Sequence, residues 1–218
     1  MYPLNQGLLL LAVLVGLATG CVPLWTADVK EKNVSAEELF KQGKEKIKDK
    51  QYQEGINILE RLKSAHPEFK QMPEVYLAIA DSFYDEGSYD KAIARYLQFM
   101  ELYPGDKEAS RARYQIAMSY FNQIKNTDLD NSVVKQAIRA FKAVSDAADP
   151  GEWGKKAEEK SRECQRKLAE KELYKSRSYI SLGNYKAAKI AAQRVIDEYS
   201  KLGLDDDAKK ILDKIKNK

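Results

Sequence analysis

The chain has 218 residues, of which 32% are charged, with 37 Lys or Arg against 33 Asp or Glu and a formal net charge of +4. This length accommodates one ordinary domain or an elongated array of repeats. Because the net charge is small and the sequence has no long basic block interleaved with aromatic residues, composition argues against a nucleic-acid-binding protein.

The N-terminus has the pattern of a lipoprotein signal peptide. An apolar run over residues 8–17 is shorter than the ~20 residues of a membrane-spanning helix but has the length of a signal-peptide core. The small residues 19–20 precede Cys21, which resembles the lipobox of bacterial lipoproteins, although Ala18 stands where leucine is usual. We expect a signal peptide over residues 1–20 and lipidation of Cys21. A plain secreted protein and an uncleaved anchor stay open as alternatives.

The next segment, residues 21–34, lacks helical periodicity and is expected to be a lipid-anchored tether. Trp25 either rests at the lipid interface or is an ordinary linker aromatic. Val22 stands where an aspartate would, in enteric lipoproteins, favour retention in the inner membrane. The sequence therefore predicts a protein anchored to the outer membrane, on its periplasmic face.

Two segments, residues 43–67 and 80–104, repeat one pattern at an offset of 37 residues. The spacing resembles the tetratricopeptide repeat, a helix–turn–helix unit of ~34 residues. Small residues would let the two helices approach closely, tyrosines would open each second helix, and a proline would end it. The matched pairs are Gly43 and Ala80, Tyr52 and Tyr89, Gly55 and Ala92, Leu59 and Tyr96, Leu62 and Phe99, and Pro67 and Pro104.

Two further units follow along the chain. The third has Ala117 and Ala137 at its small positions, with an inserted loop between them that is expected to end in an Asn or Ser cap. In the fourth unit, Ser176 and Ala188 are the small residues, Gly183 makes the turn and Tyr185 opens the second helix. The first helix of this unit is expected to start near Trp153 or Lys155 and to be unusually long. A last amphipathic helix over residues 205–218 would cap the array.

The predicted fold is therefore all-α, a right-handed superhelical array of about four tetratricopeptide helix pairs plus a C-terminal capping helix. Residues 35–149 would hold three N-terminal units, and residues 150–218 the long helix, the fourth repeat and the cap. The only cysteine besides Cys21 is Cys164, which falls in the long helix, where we expect a small, partly buried residue.

No catalytic or metal-binding pattern is visible in the sequence. The single histidine, His66, comes just before a proline, where it is expected to cap a helix and interact with its dipole. The acidic run over residues 205–207 is typical of a helix N-terminus and not of a metal site. The sequence thus predicts a binding protein, not an enzyme, with no cofactor and no metal.

The order of elements, together with residues 164–189 (CQRKLAEKELYKSRSYISLGNYKAAK), resembles the BamD (YfiO/ComL) family of outer-membrane assembly lipoproteins. The loop-bearing third unit is similar as well, with Asp130 at a position where the family has an aspartate. One departure is Ile190-Ala191, where the family usually has Asn-Arg, so an arginine contact there is lost or moved to Arg194.

The resemblance implies a non-enzymatic scaffold of the outer-membrane barrel assembly (BAM) machinery. Its C-terminal repeats would dock the periplasmic domains of BamA, its N-terminal groove would bind nascent, unfolded outer-membrane proteins, and other BAM lipoproteins are candidate partners. Two alternatives stay open, namely a pilotin-like lipoprotein that escorts a secretin and a repeat lipoprotein that coordinates cell-wall synthesis.

Two surfaces are candidate binding sites. The first comprises residues on the first helix of each unit that face away from the second helix, where they either capture an extended peptide or pack between units. These peptide-groove candidates are Phe40, Lys44, Lys48, Leu77, Asp81, Tyr84, Tyr114, Met118 and Phe121. The second is a charged C-terminal surface, which by itself is typical of a solvated face and which the resemblance assigns to partner docking. Its residues are Lys167, Glu170, Lys171, Arg177, Lys186, Lys189 and Arg194.

Overall fold

A computed structural model describes residues 34–124 and 131–218, which hold nine α-helices and no β-strand. Residues 35–218 form one compact unit. The predicted signal peptide, Cys21, Trp25 and Asp130 lie outside the described residues. The helices are α1 Ala36–Lys48, α2 Tyr52–Ala65, α3 Met72–Asp85, α4 Tyr89–Leu102, α5 Ala109–Asn122, α6 Ser132–Ser145, α7 Gly151–Ser181, α8 Tyr185–Glu198 and α9 Asp205–Ile215.

Consecutive helices pack as the pairs α1–α2, α3–α4, α5–α6 and α7–α8, and α9 packs against α8. Each pair also contacts the next, through α2 with α3, α4 with α5, and α6 with α7. Such stacking buries a continuous core that no single pair could bury alone. The predicted all-helical array of four pairs with a capping helix is confirmed.

The first pair shows why small residues occur at the repeat positions. A Cβ atom on Gly43 would lie 2.6 Å from Cδ2 of Leu59, and one on Gly55 would lie 2.9 Å from the backbone oxygen of Gly43. Both distances are shorter than van der Waals contact, so any side chain would push α1 and α2 apart. The predicted close approach of the two helices is confirmed.

The turn residues also occupy their predicted places. Tyr52, Tyr89 and Tyr185 are the first residues of α2, α4 and α8. Gly87 and Gly183, in the turns before α4 and α8, have φ angles of +82° and +72°, which residues with a side chain rarely adopt. In the α7–α8 pair the helices are additionally joined at the small positions, because the hydroxyl of Ser176 donates to the carbonyl of Ala188.

Two short polar residues that precede helices, one of them at the predicted cap of the third unit, do not cap the backbone. Ser88 precedes α4, but its hydroxyl donates to the carboxylate of Glu86 and caps no backbone N–H. Asn131 precedes α6, and its side-chain oxygen accepts from Nζ of Lys171, 2.7 Å away. In both cases a nearby charged group competes successfully with the backbone for the short polar side chain.

The long helix begins at Gly151, ahead of the predicted start at Trp153 or Lys155, and runs for 31 residues. Pro150 precedes it with a φ angle of −77°, and proline suits a helix start because its missing N–H would have no partner in the first turn.

Helix α7 belongs to two separate hydrophobic cores. Its first half contributes Ala157 and Cys164 to a cluster with α5 and α6. Its second half contributes Ala169 and Leu173 to a cluster with α8 and α9. The predicted burial of Cys164 is confirmed and is complete, and burial raises the pKa of its thiol to about 11.

Candidate functional site

A hollow of about 300 Å³ opens between α1, α3 and α5, where the sequence predicts the peptide groove. It brings together four of the nine predicted groove residues. To these the structure adds Ala78 and four charged side chains, from α3, α5 and the loop before α5. The lining residues are Phe40, Lys44, Glu74, Leu77, Ala78, Asp81, Lys107, Glu108 and Arg111.

A network centred on Asp81 forms one wall of this hollow. The carboxylate of Asp81 accepts hydrogen bonds from NH1 and NH2 of Arg111, at 3.0 and 3.1 Å, and from the hydroxyl of Tyr96. Burial, and then the charge of Asp81, raise the pKa of Tyr96, so its hydroxyl stays protonated and remains a donor. Because these residues come from α3, α4 and α5, Asp81 holds the second and third units together.

The remaining charges of the hollow divide into paired and outward-facing groups. Nε of Arg111 also donates to Glu108, at 2.7 Å, so its guanidinium is held by two carboxylates. Lys44 and Lys107 are exposed, and Nζ of Lys44 lies 5.1 Å from the ring centre of Phe40. The two lysines are therefore the cations that an incoming ligand would meet at the rim.

A second hollow, of about 460 Å³, lies beside the first along α1 and contains Lys48. Phe40 and Lys44 border both hollows. Phe40 is nevertheless only 8% exposed and packs edge-to-face against Phe69, with ring centres 5.6 Å apart. Phe40 and Leu77, which is also buried, therefore form the apolar floor of the hollow and do not project into it.

Three predicted groove residues lie against α7. The ring centre of Tyr114 is 5.1 Å from that of Trp153, and Nζ of Lys160 lies 4.7 Å from the ring centre of Phe121. Met118 packs against the same cluster. Of the two interpretations left open by the sequence, these contacts favour packing between units.

Tyr84 contacts one residue of α4 and one of α5. Its hydroxyl accepts from Nδ2 of Asn122 at 2.8 Å, and its ring packs edge-to-face on Tyr89, with centres 5.6 Å apart. Burial raises the pKa of Tyr84. The residue thus links α3 to the end of α5, with its ring half-buried.

The C-terminal surface contains a buried carboxylate that sequence reasoning missed. Glu172 of α7 is 4% exposed and accepts from NH1 of Arg194, at 3.0 Å, and from Nζ of Lys175, at 2.7 Å. Arg194 also lies 3.5 Å from Glu198. Arg194 therefore ties α8 to α7. The burial of Glu172 could have been predicted from the sequence, because Glu172 lies on the same face of the helix as the core residue Ala169 and the small residue Ser176.

The other predicted docking residues fall into two groups. Lys171 contacts Asn131, Glu170 pairs with Arg166 at 3.0 Å, and Arg177 lies 4.0 Å from Asp207, all at the surface of α7. The second group consists of three lysines on α7 and α8. Lys167 is half-buried, Lys186 and Lys189 are exposed on α8, and Lys189 borders a hollow of about 340 Å³ with Ile190 and Arg194.

Three large apolar side chains are exposed in the same region. Tyr174 is 70% exposed, Leu182 79% and Ile190 54%. A single exposed apolar residue needs no explanation, and these three belong to different parts of the pair, with Tyr174 in α7, Leu182 just after it and Ile190 in α8. They were missed because sequence periodicity alone does not reveal which half of α7 buries which face.

Within the described ranges, no three His, Cys, Asp or Glu side chains come together as a metal site requires. In that part of the chain, no helix is both long and apolar enough to cross a membrane.

A family model described as YfiO, outer membrane lipoprotein, matches residues 32–217. The chain is 25% identical over 189 residues to the outer membrane protein assembly factor BamD of Caulobacter vibrioides, which covers 79% of this chain and 62% of that protein. The chain thus spans less than two thirds of this relative. It is 24% identical over 206 residues to the BamD of Neisseria gonorrhoeae, covering 88% of this chain and 77% of the relative. Among solved structures it is similar to a thermophilic TPR protein of Thermus thermophilus, with 13% identity, a TM-score of 0.42 and coverage of 82% of this chain and 99% of that one.

Proposed function

The chain belongs to the YfiO family of outer membrane lipoproteins, and from that premise we propose that it is a non-enzymatic scaffold of the barrel assembly (BAM) machinery. Two relatives named outer membrane protein assembly factor BamD align with most of the chain. A stacked array of helix pairs suits such a role, because it presents extended surfaces to other proteins. The family match over residues 32–217 is the observation that carries the proposal.

The N-terminal hollow is the proposed binding site for unfolded outer-membrane protein segments. Phe40 and Leu77 supply an apolar floor, while Lys44 and Lys107 supply positive charge at the rim. An extended peptide with an aromatic side chain and a carboxylate end fits these two features. Asp81 contributes by holding the wall and not by contacting the peptide, since Arg111 and Tyr96 occupy its oxygens.

The C-terminal surface of α7 and α8 is the proposed docking site for the periplasmic domains of BamA. Exposed lysines and exposed apolar side chains occur together there, as they do at protein interfaces with an apolar centre and a polar rim. Other lipoproteins of the machinery are further proposed partners.

Lipid attachment at Cys21 is proposed to hold the protein on the periplasmic face of the outer membrane. The test is Cys21→Ser in cells from which BamA has been depleted, followed by fractionation. We expect the repeats to stay folded and the protein to leave the membrane fraction. Retention of the processed variant in the membrane would contradict the anchor.

Depletion of the protein tests the proposed function as a whole. Folded outer-membrane barrels are measured by their altered mobility without heating in gel electrophoresis, and we expect them to decline as the protein is lost. Unchanged barrel levels would contradict the proposal. Affinity purification from membranes then identifies the partner. BamA is expected, whereas a secretin or a cell-wall synthase would support one of the alternative functions.

A further inference from the structure

Arg111 lies in the lining of the N-terminal hollow, where its guanidinium is bound by two carboxylates. Nε donates to Glu108, at 2.7 Å, and NH1 and NH2 donate to Asp81, at 3.0 and 3.1 Å. A guanidinium has five N–H groups, so two of those of Arg111 have no partner among the described residues. The side chain is 23% exposed. Arg111 therefore has donors left for a ligand that enters the hollow.

The two carboxylates are held unequally. Asp81 accepts both bonds of the guanidinium fork and a third from the hydroxyl of Tyr96, so two neighbouring helices fix it. Glu108 accepts a single bond, from the residue three positions further along the chain. Pairs of this spacing at a helix surface contribute little to stability. Glu108 is therefore the carboxylate that can leave Arg111 at small cost.

The position of Glu108 also favours its release. Glu108 directly precedes α5, and its backbone N–H donates to the carboxylate of Asp106 at 2.8 Å. The backbone is thus held while the side chain is free to turn. A carboxylate that leaves Arg111 there stays close to the N-terminus of α5, where the helix dipole favours negative charge. Release consequently does not strand an uncompensated charge.

Glu108 decides the net charge that a ligand meets in the hollow. The charged side chains of the lining are three cations and three anions, namely Lys44, Lys107, Arg111, Glu74, Asp81 and Glu108. While Glu108 stays on Arg111, these charges cancel, and an incoming carboxylate gains little net attraction. Once Glu108 has turned away, three cations face two anions, and the hollow attracts a negative group.

We propose that Glu108 is a built-in competitor, which a carboxylate of the bound segment displaces from Arg111. The incoming carboxylate would accept from Nε and from a neighbouring N–H of the guanidinium, whereas Glu108 accepts from Nε alone. Such bidentate pairs are the strongest that arginine forms. A segment without a carboxylate cannot make this exchange, so Glu108 and Arg111 together select for one. The inference rests on the proposed binding of unfolded segments in this hollow and adds the pair of residues that selects them.

The test is calorimetric titration of the full chain, purified in detergent, with three forms of one C-terminal peptide of an outer-membrane protein. The first has a free carboxylate end, the second a C-terminal amide, and the third an amide with Asp as its last residue. Glu108→Gln is the test variant. Glu74→Gln is the matched control, since Glu74 lines the same hollow but contacts Gln71 instead of Arg111.

We expect Glu108→Gln to bind the peptide with a free carboxylate end at least fivefold more tightly than the unmodified chain does. The plain amide should change by less than twofold, and Glu74→Gln should change the affinity for either peptide by less than twofold. A matching gain for the Asp-bearing amide would show that a side-chain carboxylate serves as well as the chain end. A gain for the free end alone would assign the site to that end.

Arg111→Lys provides a second measurement, because it keeps a cation beside Asp81 but removes the guanidinium fork. In this background Glu108→Gln should change the affinity for the free-carboxylate peptide by less than twofold, since the two residues act as a pair. Thermal unfolding verifies that each variant is folded.

Four results would overturn the inference. They are an equal gain from Glu74→Gln, an equal gain for the plain amide, no gain from Glu108→Gln, and an unmodified chain that binds none of the peptides. None of them changes the barrel levels measured on depletion, so this inference and the proposed scaffold function fail separately.

Discussion

The two ends of the helix array differ in charge balance and in the apolar side chains that they expose. Residues 35–122 contain 13 Lys or Arg and 15 Asp or Glu, and the central charges of their hollow, Asp81 and Arg111, are bound to each other. Residues 166–198 contain eight cations and four anions, and large apolar side chains are exposed among them. At the N-terminal end, polar groups hold adjacent units in place. At the C-terminal end, Glu172 likewise holds α7 to α8 through Arg194, but the region also carries an excess of cations and exposes Tyr174, Leu182 and Ile190.

This difference separates residues that build a surface from residues that contact ligands. Asp81 and Arg194 both look like ligand-binding charges in the sequence, but each is held by a partner inside the protein. Lys107 and Tyr174, which no repeat signature identifies, are exposed and lie outside the core. Substitutions at the two kinds of position should therefore separate stability from binding.

The largest effect on stability is expected at the N-terminal network. Arg111→Met leaves the half-buried carboxylate of Asp81 without its cation and should lower the free energy of unfolding by ~3 kcal/mol. Urea denaturation measures this change. Arg113→Met, on the same helix, should change it by less than ~0.5 kcal/mol. The double variant D81N/R111M should recover part of the loss, and equal losses in the single and double variants would contradict the network.

Gly55→Ala tests the close approach of α1 and α2 and should cost ~2 kcal/mol, because its Cβ would lie 2.9 Å from a backbone oxygen that cannot easily move. The matched control is Gly105→Ala, since a Cβ there meets nothing within 4 Å. If thermal unfolding of the two variants is the same, the helix pair is looser than described.

A smaller effect is expected at the buried carboxylate of the C-terminal surface. Glu172→Gln keeps the shape of the side chain but removes the charge that holds Arg194, and should cost ~1 kcal/mol. Glu170→Gln, at an exposed pair with Arg166, should cost less than ~0.5 kcal/mol. Denaturation at low and high salt measures both, and a larger loss for Glu170→Gln would reverse the assignment.

The smallest effect on stability is expected at two exposed apolar side chains, Tyr174 of α7 and Leu182, which follows that helix. Y174A/L182A should change the free energy of unfolding by less than ~0.5 kcal/mol, because both side chains are largely in water. Leu173→Ala, one residue along the same helix but buried, should cost ~3 kcal/mol. A comparable loss from Y174A/L182A would mean that these two side chains are part of the core.

The sequence predicted the helices better than the surfaces. Spacing of Gly43, Gly55 and the helix-opening tyrosines depends on contacts within one unit, which recur at a fixed distance along the chain. The network of Asp81 with Arg111 joins residues from two units, and no repeat pattern encodes such a pair. The exposure of Tyr174 depends on which helices pack against α7, a packing property that local periodicity does not carry.

Binding measured on three proteins tests the division between the two ends most directly. These are the unmodified chain, the groove variant K44E/K107E and the C-terminal variant Y174A/L182A. Each is titrated with a C-terminal peptide of an unfolded outer-membrane protein and with the purified periplasmic domains of BamA from the same organism. We expect the groove variant to lose at least tenfold in affinity for the peptide alone, and the C-terminal variant at least tenfold in affinity for BamA alone. Loss of both ligands in either variant, or of neither ligand in both, would contradict this division.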